Sequence, residues 1–185
     1  MPFAPQSYGP EIAQLLALAG DGERLMPLVC SAGRIDTPEL RKLTAHDLAA
    51  CSHPRGAHAA LWVYFSCFDE AHEIAQEDHS AEGSYWHAIL HRQEPDASNA
   101  AYWFRRVGQH AVFPELAKAA EAILEAGPDC GFRVRNAWDP SAFIDFCESA
   151  RQDPGSAAEQ AALEIQRAEW QILFHYCAAR GRKTA

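Results

Sequence analysis

The residues with the clearest chemical capacity lie in one short stretch, which runs from Ser84 to His110 and reads SYWHAILHRQEPDASNAAYWFRRVGQH. Residues 85–93 contain no Gly or Pro, so a helix is predicted there. At about 100° per residue, His87, His91 and Glu94 fall on one face of that helix. Two imidazoles at i and i+4 followed by a carboxylate can chelate a divalent metal. Position 88 is alanine, so the general base of an HExxH motif is missing.

A second helix is predicted immediately after the first. Pro95 disfavours helical geometry at Glu94, and Asp96 is suited to cap a helix that ends at Gly108. Asn99 and Arg106 lie on one face of this helix with Tyr102 and Trp103, whereas Arg105 points elsewhere. Because the connecting turn is short, the two helices must pack together. We therefore expect Glu94, Asp96 and Asn99 to lie near His91.

The first functional hypothesis is a polar pocket for an anionic small molecule, either a binding site or the site of hydrolytic or acid/base chemistry. His91 or His87 would be the general acid/base, because imidazole titrates near neutral pH, and Glu94 or Asp96 would orient it. Arginines supply forked donors for a carboxylate or phosphate. The residues predicted to line this pocket are His72, Arg92, Asp96, Asn99, Tyr102, Arg105, Arg106 and His110.

The second hypothesis is a divalent-metal site, and a divalent metal is the one cofactor that the sequence suggests. His87 and His91 would be two ligands, and Glu94, His72 or His110 would supply the third. His72 enters because the segment DEAHEIAQ precedes the central helix by only a short loop. Sequential helices are usually neighbours, so the His72 face is expected to meet the face that carries His87 and His91.

The third hypothesis needs no site. The histidines would be satisfied by their neighbours and the arginines paired with Glu94 and Asp96. The chain would then be a structural or interaction module, such as a homodimer that packs its long C-terminal helix through Trp170 and Ile172. The sequence does not decide whether the protein is an enzyme.

Composition excludes several classes of protein. The chain has 185 residues and is 48% apolar, which is typical of a single folded domain with a real core. A net charge of −9 argues against a nucleic-acid binder and against binding to an anionic membrane. No stretch predicts a membrane span or a secretory signal. The six cysteines form no CxxC pair, so we predict reduced thiols and a cytoplasmic location.

The predicted fold is all-α, a single domain over residues 1–185 with about eight helices in an orthogonal or bundle-like array. No sustained strand-like alternation and no repeat is present. Residues 1–9 are predicted to be an extended lead-in, and residues 182–185 a tail. The predicted helices include 10–19, 23–32, 37–50, 57–77, 80–94, 96–108, 114–126, 139–152 and 156–181.

The run YWHAILHRQEPDASNAAYWFRRVGQH also resembles a signature of uncharacterised bacterial proteins, with similar stretches in some fungal ones. The resemblance follows the pattern YWHxxxHRxEPDxxNAxYWFRRVGxH. It extends to FSCFDEAHEIAQ before this run, and to WDPSAFIDFCESA and EIQRAEWQILFHYC after it. No activity comes with that family, so the resemblance implies only that these segments belong to one domain.

Overall fold

The computed structural model describes residues 3–44 and 46–179, and that part of the chain is all-α, with no strand. A 3-10 helix, Pro5–Tyr8, precedes the α-helices. These are α1 (Pro10–Ala17), α2 (Pro38–Lys42), α3 (Pro54–Tyr64), α4 (Phe68–Glu77), α5 (Ala81–Gln93), α6 (Ala97–Val107), α7 (Phe113–Ala126), α8 (Pro140–Ala150) and α9 (Ala157–Ala178). The predicted fold class is confirmed. The predicted tail lies outside the described residues.

Capping side chains set the beginnings of five helices, as predicted. In each case a hydroxyl or carboxylate oxygen accepts a hydrogen bond from a backbone N–H group in the first turn, which satisfies a donor that the helix itself cannot pair. The capping residues are Thr37, Ser80, Asp96, Asp139 and Ser156. Polar capping is therefore the part of the local structure that the sequence predicts most sharply.

Three predicted segments are wrong. The predicted helix 37–50 is helical only over Pro38–Lys42, because Leu43 is extended with a ψ of 125°, and residues 46–50 form turns. Residues 23–32 form no helix, because Pro27 interrupts them and the Arg24 guanidinium instead donates to Ser66 Oγ at 3.0 Å and to the backbone carbonyls of Tyr64 and Gly33. The predicted long helix 57–77 is divided into α3 and α4. Ser66 has a φ of +56°, which ends α3 and turns the chain back towards the core. That turn gives α4 its own direction, and α4 carries His72.

The predicted extended lead-in is also more ordered than expected. Residues 5–8 form the 3-10 helix, and Ser7 donates from Oγ to the carbonyl of Ala4 at 2.7 Å. Tyr8 packs edge-on against Phe174 of α9, with ring centroids 5.0 Å apart. Aromatic packing against the C-terminal helix therefore holds this segment to the domain.

Helix α5 is the central element of the fold. It contacts α3, α4 and α6, and every residue from Glu82 to Gln93 is buried. Because the buried positions include histidines, Arg92 and Glu82, polar groups of α5 must find partners on the neighbouring helices. Helix α5 therefore packs against apolar side chains on some of its faces and against polar side chains on others.

The long helix α9 belongs to the core. Trp170 is 1% exposed and donates from Nε1 to the carbonyl of Ala60 at 2.7 Å. Of the two places that the sequence leaves open for Trp170, the core or an interface, the structure shows the core, since its indole packs within the domain. Ile172 is half-buried. Among the described residues, no helix has the length and apolar character needed to cross a membrane.

Candidate metal centre

Three imidazoles meet between α4 and α5. His87 and His91 extend from α5, and His72 reaches them from α4, as the expected meeting of the two helices requires. The Nε2 atoms of His72 and His87 are 2.9 Å apart. One ring nitrogen from each histidine can be chosen so that all three lie within 4.8 Å of one another. Within the described residues, this is the one such group of three His, Cys, Asp or Glu side chains.

The rings have a regular arrangement. Those of His87 and His91 are stacked, 4.8 Å apart at 21°, because i and i+4 side chains lie above one another on a helix. The ring of His72 stands at 89° to both of them. Trp103 of α6 covers His87 with an indole stacked at 4.0 Å, and Phe68 stacks on His72. The three rings are thus held in place by packing on two sides.

Glu94 fixes the protonation pattern of His91. Its Oε2 lies 2.9 Å from His91 Nδ1, and a carboxylate only accepts, so the Nδ1–H group donates a hydrogen bond to it. In the neutral ring, Nε2 is then the nitrogen with a lone pair. A carboxylate on the far nitrogen is the usual outer partner of a metal-binding histidine, because it orients the ring and raises its basicity.

Asn99 lies against the same imidazole. Its Nδ2 is 3.3 Å from Nδ1 and 3.1 Å from Nε2 of His91. An atom nearly equidistant from both nitrogens and in the ring plane would collide with the carbon between them. The amide therefore lies over the ring face and does not occupy the lone-pair direction of Nε2.

The surroundings of His72 and His87 favour the neutral form of both imidazoles. Burial, then the neighbouring His72 and His91, lower the pKa of His87 to about 3. Burial, then His91, also lower the pKa of His72, although Glu94 and Asp69 act in the opposite direction. Neutral imidazole is the form that binds a metal. His87 Nδ1 is buried with no hydrogen-bond partner, so Nε2 makes the one side-chain hydrogen bond of this ring.

The fold distinguishes among the three residues predicted as the third metal ligand, His72, Glu94 and His110. His72 lies beside His87 and His91, whereas Glu94 contacts His91 on the opposite nitrogen. His110 lies elsewhere: its Nε2 is 3.5 Å from Glu82 Oε1, and its ring packs against Tyr176. Burial lowers the pKa of His110 as well. Of the three alternatives for the third ligand, the geometry favours His72.

Arg92 does not take part in an anion pocket. Its side chain is 1% exposed and donates from Nη2 to Glu169 Oε2 at 2.5 Å. Tyr85 donates to the other oxygen of Glu169 at 3.0 Å. The prediction that Arg92 contacts a ligand is corrected, because it follows His91 by one residue and so points about 100° away, into the core.

The remaining predicted residues lie on or near α6. Asp96 caps the helix by accepting from the Asn99 N–H at 3.0 Å. Arg105 and Tyr102 are exposed. Arg106 lies over the Trp103 ring at 5.2 Å. Since the indole is stacked on His87, the guanidinium of Arg106 is not in direct contact with that imidazole.

Trp103 and Phe68 are part of the cluster, although the sequence did not single them out as site residues. The signal for Trp103 was present, because it follows Asn99 by one helical turn on the face of α6 that was expected to meet α5. No comparable signal identified Phe68. Its position depends on the division of α3 from α4.

Fold and site together define an all-α domain with a cluster of three histidines at the junction of α4, α5 and α6. Comparisons with protein-family models, with curated proteins and with solved structures find no match to this chain. The bacterial and fungal resemblance therefore stays an expectation, and the function has to be argued from the site alone.

Proposed function

We propose that the protein binds one divalent transition metal through His72, His87 and His91. The observation that carries the proposal is the convergence of three imidazole nitrogens within 4.8 Å. Tetrahedral ligands about 2.1 Å from zinc lie about 3.4 Å from one another. The His72 and His87 Nε2 atoms are 2.9 Å apart, so this pair would move apart by about 0.5 Å. The widest pair of nitrogens, separated by up to 4.8 Å, would have to approach by at most about 1.4 Å. Imidazole donors suit zinc, copper, nickel and iron.

The surroundings favour a cation over an anion at this position. Glu94 and Asp69 place negative charge near His72, while Arg92 is paired in the core. Arg106 is separated from His87 by an indole ring. The metal-free anion pocket is therefore the weaker of the two site hypotheses. A neutral His87 is also poorly suited to donate a proton at neutral pH, whereas it is suited to coordinate a metal.

Equilibrium dialysis against zinc, followed by elemental analysis, tests the proposal. We expect one bound zinc per chain, and loss of that zinc in His72→Gln, His87→Gln and His91→Gln. His79→Gln is the matched control, because His79 is exposed and outside the cluster. Circular dichroism checks that each variant is folded. Equal zinc binding by the three variants and the control would refute the proposal.

A second candidate function follows from the number of ligands. Three protein ligands leave a tetrahedral metal with one open position, as in hydrolytic zinc enzymes, where the metal lowers the pKa of a bound water. His72 is partly exposed, and the Glu94 side chain is 45% exposed, so a substrate could approach from this side. Zinc-dependent hydrolysis of an activated ester, absent in His91→Gln, would support hydrolytic chemistry. Zinc binding with no dependent hydrolysis of esters, amides or phosphoesters would leave metal binding alone.

We also propose that the protein is cytoplasmic and that it forms a homodimer. Cys30, Cys67, Cys130, Cys147 and Cys177 form no disulfide, which suits a reducing compartment. Because Trp170 is buried in the core, Ile172 is the remaining candidate for an interface residue on α9. Light scattering of the purified chain would decide its oligomeric state.

A further inference from the structure

Two side chains of α6 cover the two proposed metal ligands of α5, His87 and His91. Trp103 covers His87, and Asn99 lies over the ring face of His91. The indole has an obvious packing role. Asn99 is different, because a carboxamide brings a hydrogen-bond donor and an acceptor to the edge of the proposed metal site.

The helix cap positions Asn99. Asp96 caps α6 and accepts from the Asn99 backbone N–H at 3.0 Å, so Asn99 sits in the first helical turn. Its side chain is half-buried. Since Glu94 binds His91 Nδ1, a metal must lie on His91 Nε2, which is the nitrogen nearer to the Asn99 amide.

The distance to the metal follows from this geometry. With a metal about 2.1 Å beyond Nε2 in the ring plane, and the amide nitrogen over the ring face, the two would be about 4 Å apart. That is too far for coordination by Asn99 Nδ2. It is the right distance for a hydrogen bond to an atom that is itself bound to the metal.

We propose that Asn99 hydrogen-bonds the exogenous ligand at the open coordination position, and that this ligand is a small anionic or carbonyl oxygen or nitrogen donor. This inference rests on the proposed metal site. The Asn99 N–H group donates to hydroxide, carboxylate or carbonyl, all of which accept hydrogen bonds and bind divalent metals. Arginine is not required for this recognition, because the metal supplies the positive charge.

The test uses the full chain loaded with cobalt(II), whose visible spectrum reports its coordination, and azide as the probe. Asn99→Ala removes the donor, and we expect azide affinity to fall about tenfold, as for a hydrogen bond to a charged acceptor. Asn99→Asp keeps the size but replaces the donor by a negative charge, so azide affinity falls further than in Asn99→Ala. Cobalt affinity falls at most a few-fold in Asn99→Ala. Ser98→Ala is the matched control, since Ser98 is the exposed neighbour.

The order of the two variants separates hydrogen bonding from a structural role. A residue needed only for packing is better replaced by aspartate, which has nearly the same shape, than by alanine. Tighter cobalt binding with azide excluded in Asn99→Asp also supports the proposal, because it places residue 99 at the open position. Equal azide affinity in all variants, a larger loss in Asn99→Ala, or no azide binding to the cobalt-loaded wild type would overturn it. Failure of the wild type to bind cobalt would instead refute the metal site itself.

Discussion

Two polar clusters occupy different faces of α5, and they have opposite chemical characters. His87 and His91 face α4 and α6, and His87 Nε2 lies 2.9 Å from His72 Nε2. Arg92, the next residue, points into the core and pairs with Glu169. The first cluster contains the ring nitrogens of the proposed metal site, whereas the second pairs two opposite charges inside the fold.

Their energetics differ in the same way. A neutral imidazole costs less to bury than an ion, although His87 Nδ1 is buried without a hydrogen-bond partner and so still carries a desolvation cost. A buried guanidinium and carboxylate must stay paired, because either charge alone would be very costly. Even so, Arg92 Nε and Nη1 are buried without a hydrogen-bond partner. Polar residues of one sequence motif therefore lie in two different environments, one a buried ion pair and the other the proposed metal site.

The largest effect on stability is expected from breaking the buried ion pair between Arg92 and Glu169. Arg92→Met should lower the free energy of unfolding by about 3–5 kcal/mol, because Glu169 would be left buried and unpaired. The double variant Arg92→Met/Glu169→Leu should recover much of that loss. Urea denaturation measures both. Arg133→Ala, which breaks the exposed pair with Asp129, should cost at most about 1 kcal/mol. A mild Arg92→Met would contradict the contrast between the clusters.

The next effect concerns the metal. Zinc at about 100 times its dissociation constant should raise the free energy of unfolding by about 2.7 kcal/mol, and a chelator should remove this gain. His91→Gln should abolish the zinc-dependent rise, because one ligand is lost. His46→Gln, an exposed histidine outside the cluster, should retain it. Thermal unfolding with and without zinc makes the measurement, and a zinc response in His91→Gln would count against the site.

A smaller effect is expected at the outer partner of His91. Glu94→Gln keeps the shape but loses the charge that orients the imidazole, so zinc affinity should fall about 10–100-fold. Glu73→Gln is the control, since Glu73 is an exposed acid on α4. Competition with a chromophoric chelator gives the two affinities. Equal affinities would show that Glu94 does not support the ligand.

The smallest effect separates helix capping from binding. Asp96→Ala removes the α6 cap and should lower the free energy of unfolding by about 1 kcal/mol, with zinc affinity changed less than in Glu94→Gln. Asp139→Ala removes the cap of α8 and should cost a similar amount. Urea denaturation and zinc titration of both variants check this. A loss of zinc binding confined to Asp96→Ala would show that the cap also acts in the site.

The sequence predicted those features that depend on local chemistry. Helical class and capping positions follow from spacing, Pro and short polar side chains, and the approach of His72 to His87 follows from a short connection between helices. The partner of Arg92 could not be predicted, because Glu169 lies 77 residues away and only the tertiary fold brings them together. The same holds for His110, which lies between α6 and α7 and contacts Glu82 of α5.

The choice among metal ligands was open for a similar reason. Helical periodicity places His87, His91 and Glu94 on one face, yet it does not say which nitrogen of His91 the carboxylate contacts. That contact decides whether Glu94 is a ligand or the partner of one. The sequence also did not predict the division of α3 from α4 at Ser66, although this turn directs α4 so that His72 lies beside His87 and His91.

X-ray absorption at the zinc edge of the zinc-loaded protein tests the central claim most directly. We predict three imidazole nitrogens at about 2.0–2.1 Å and one further oxygen or nitrogen donor, with the imidazole pattern reduced in His72→Gln. A sulfur donor at about 2.3 Å, or a shell of oxygen atoms without imidazole, would contradict it.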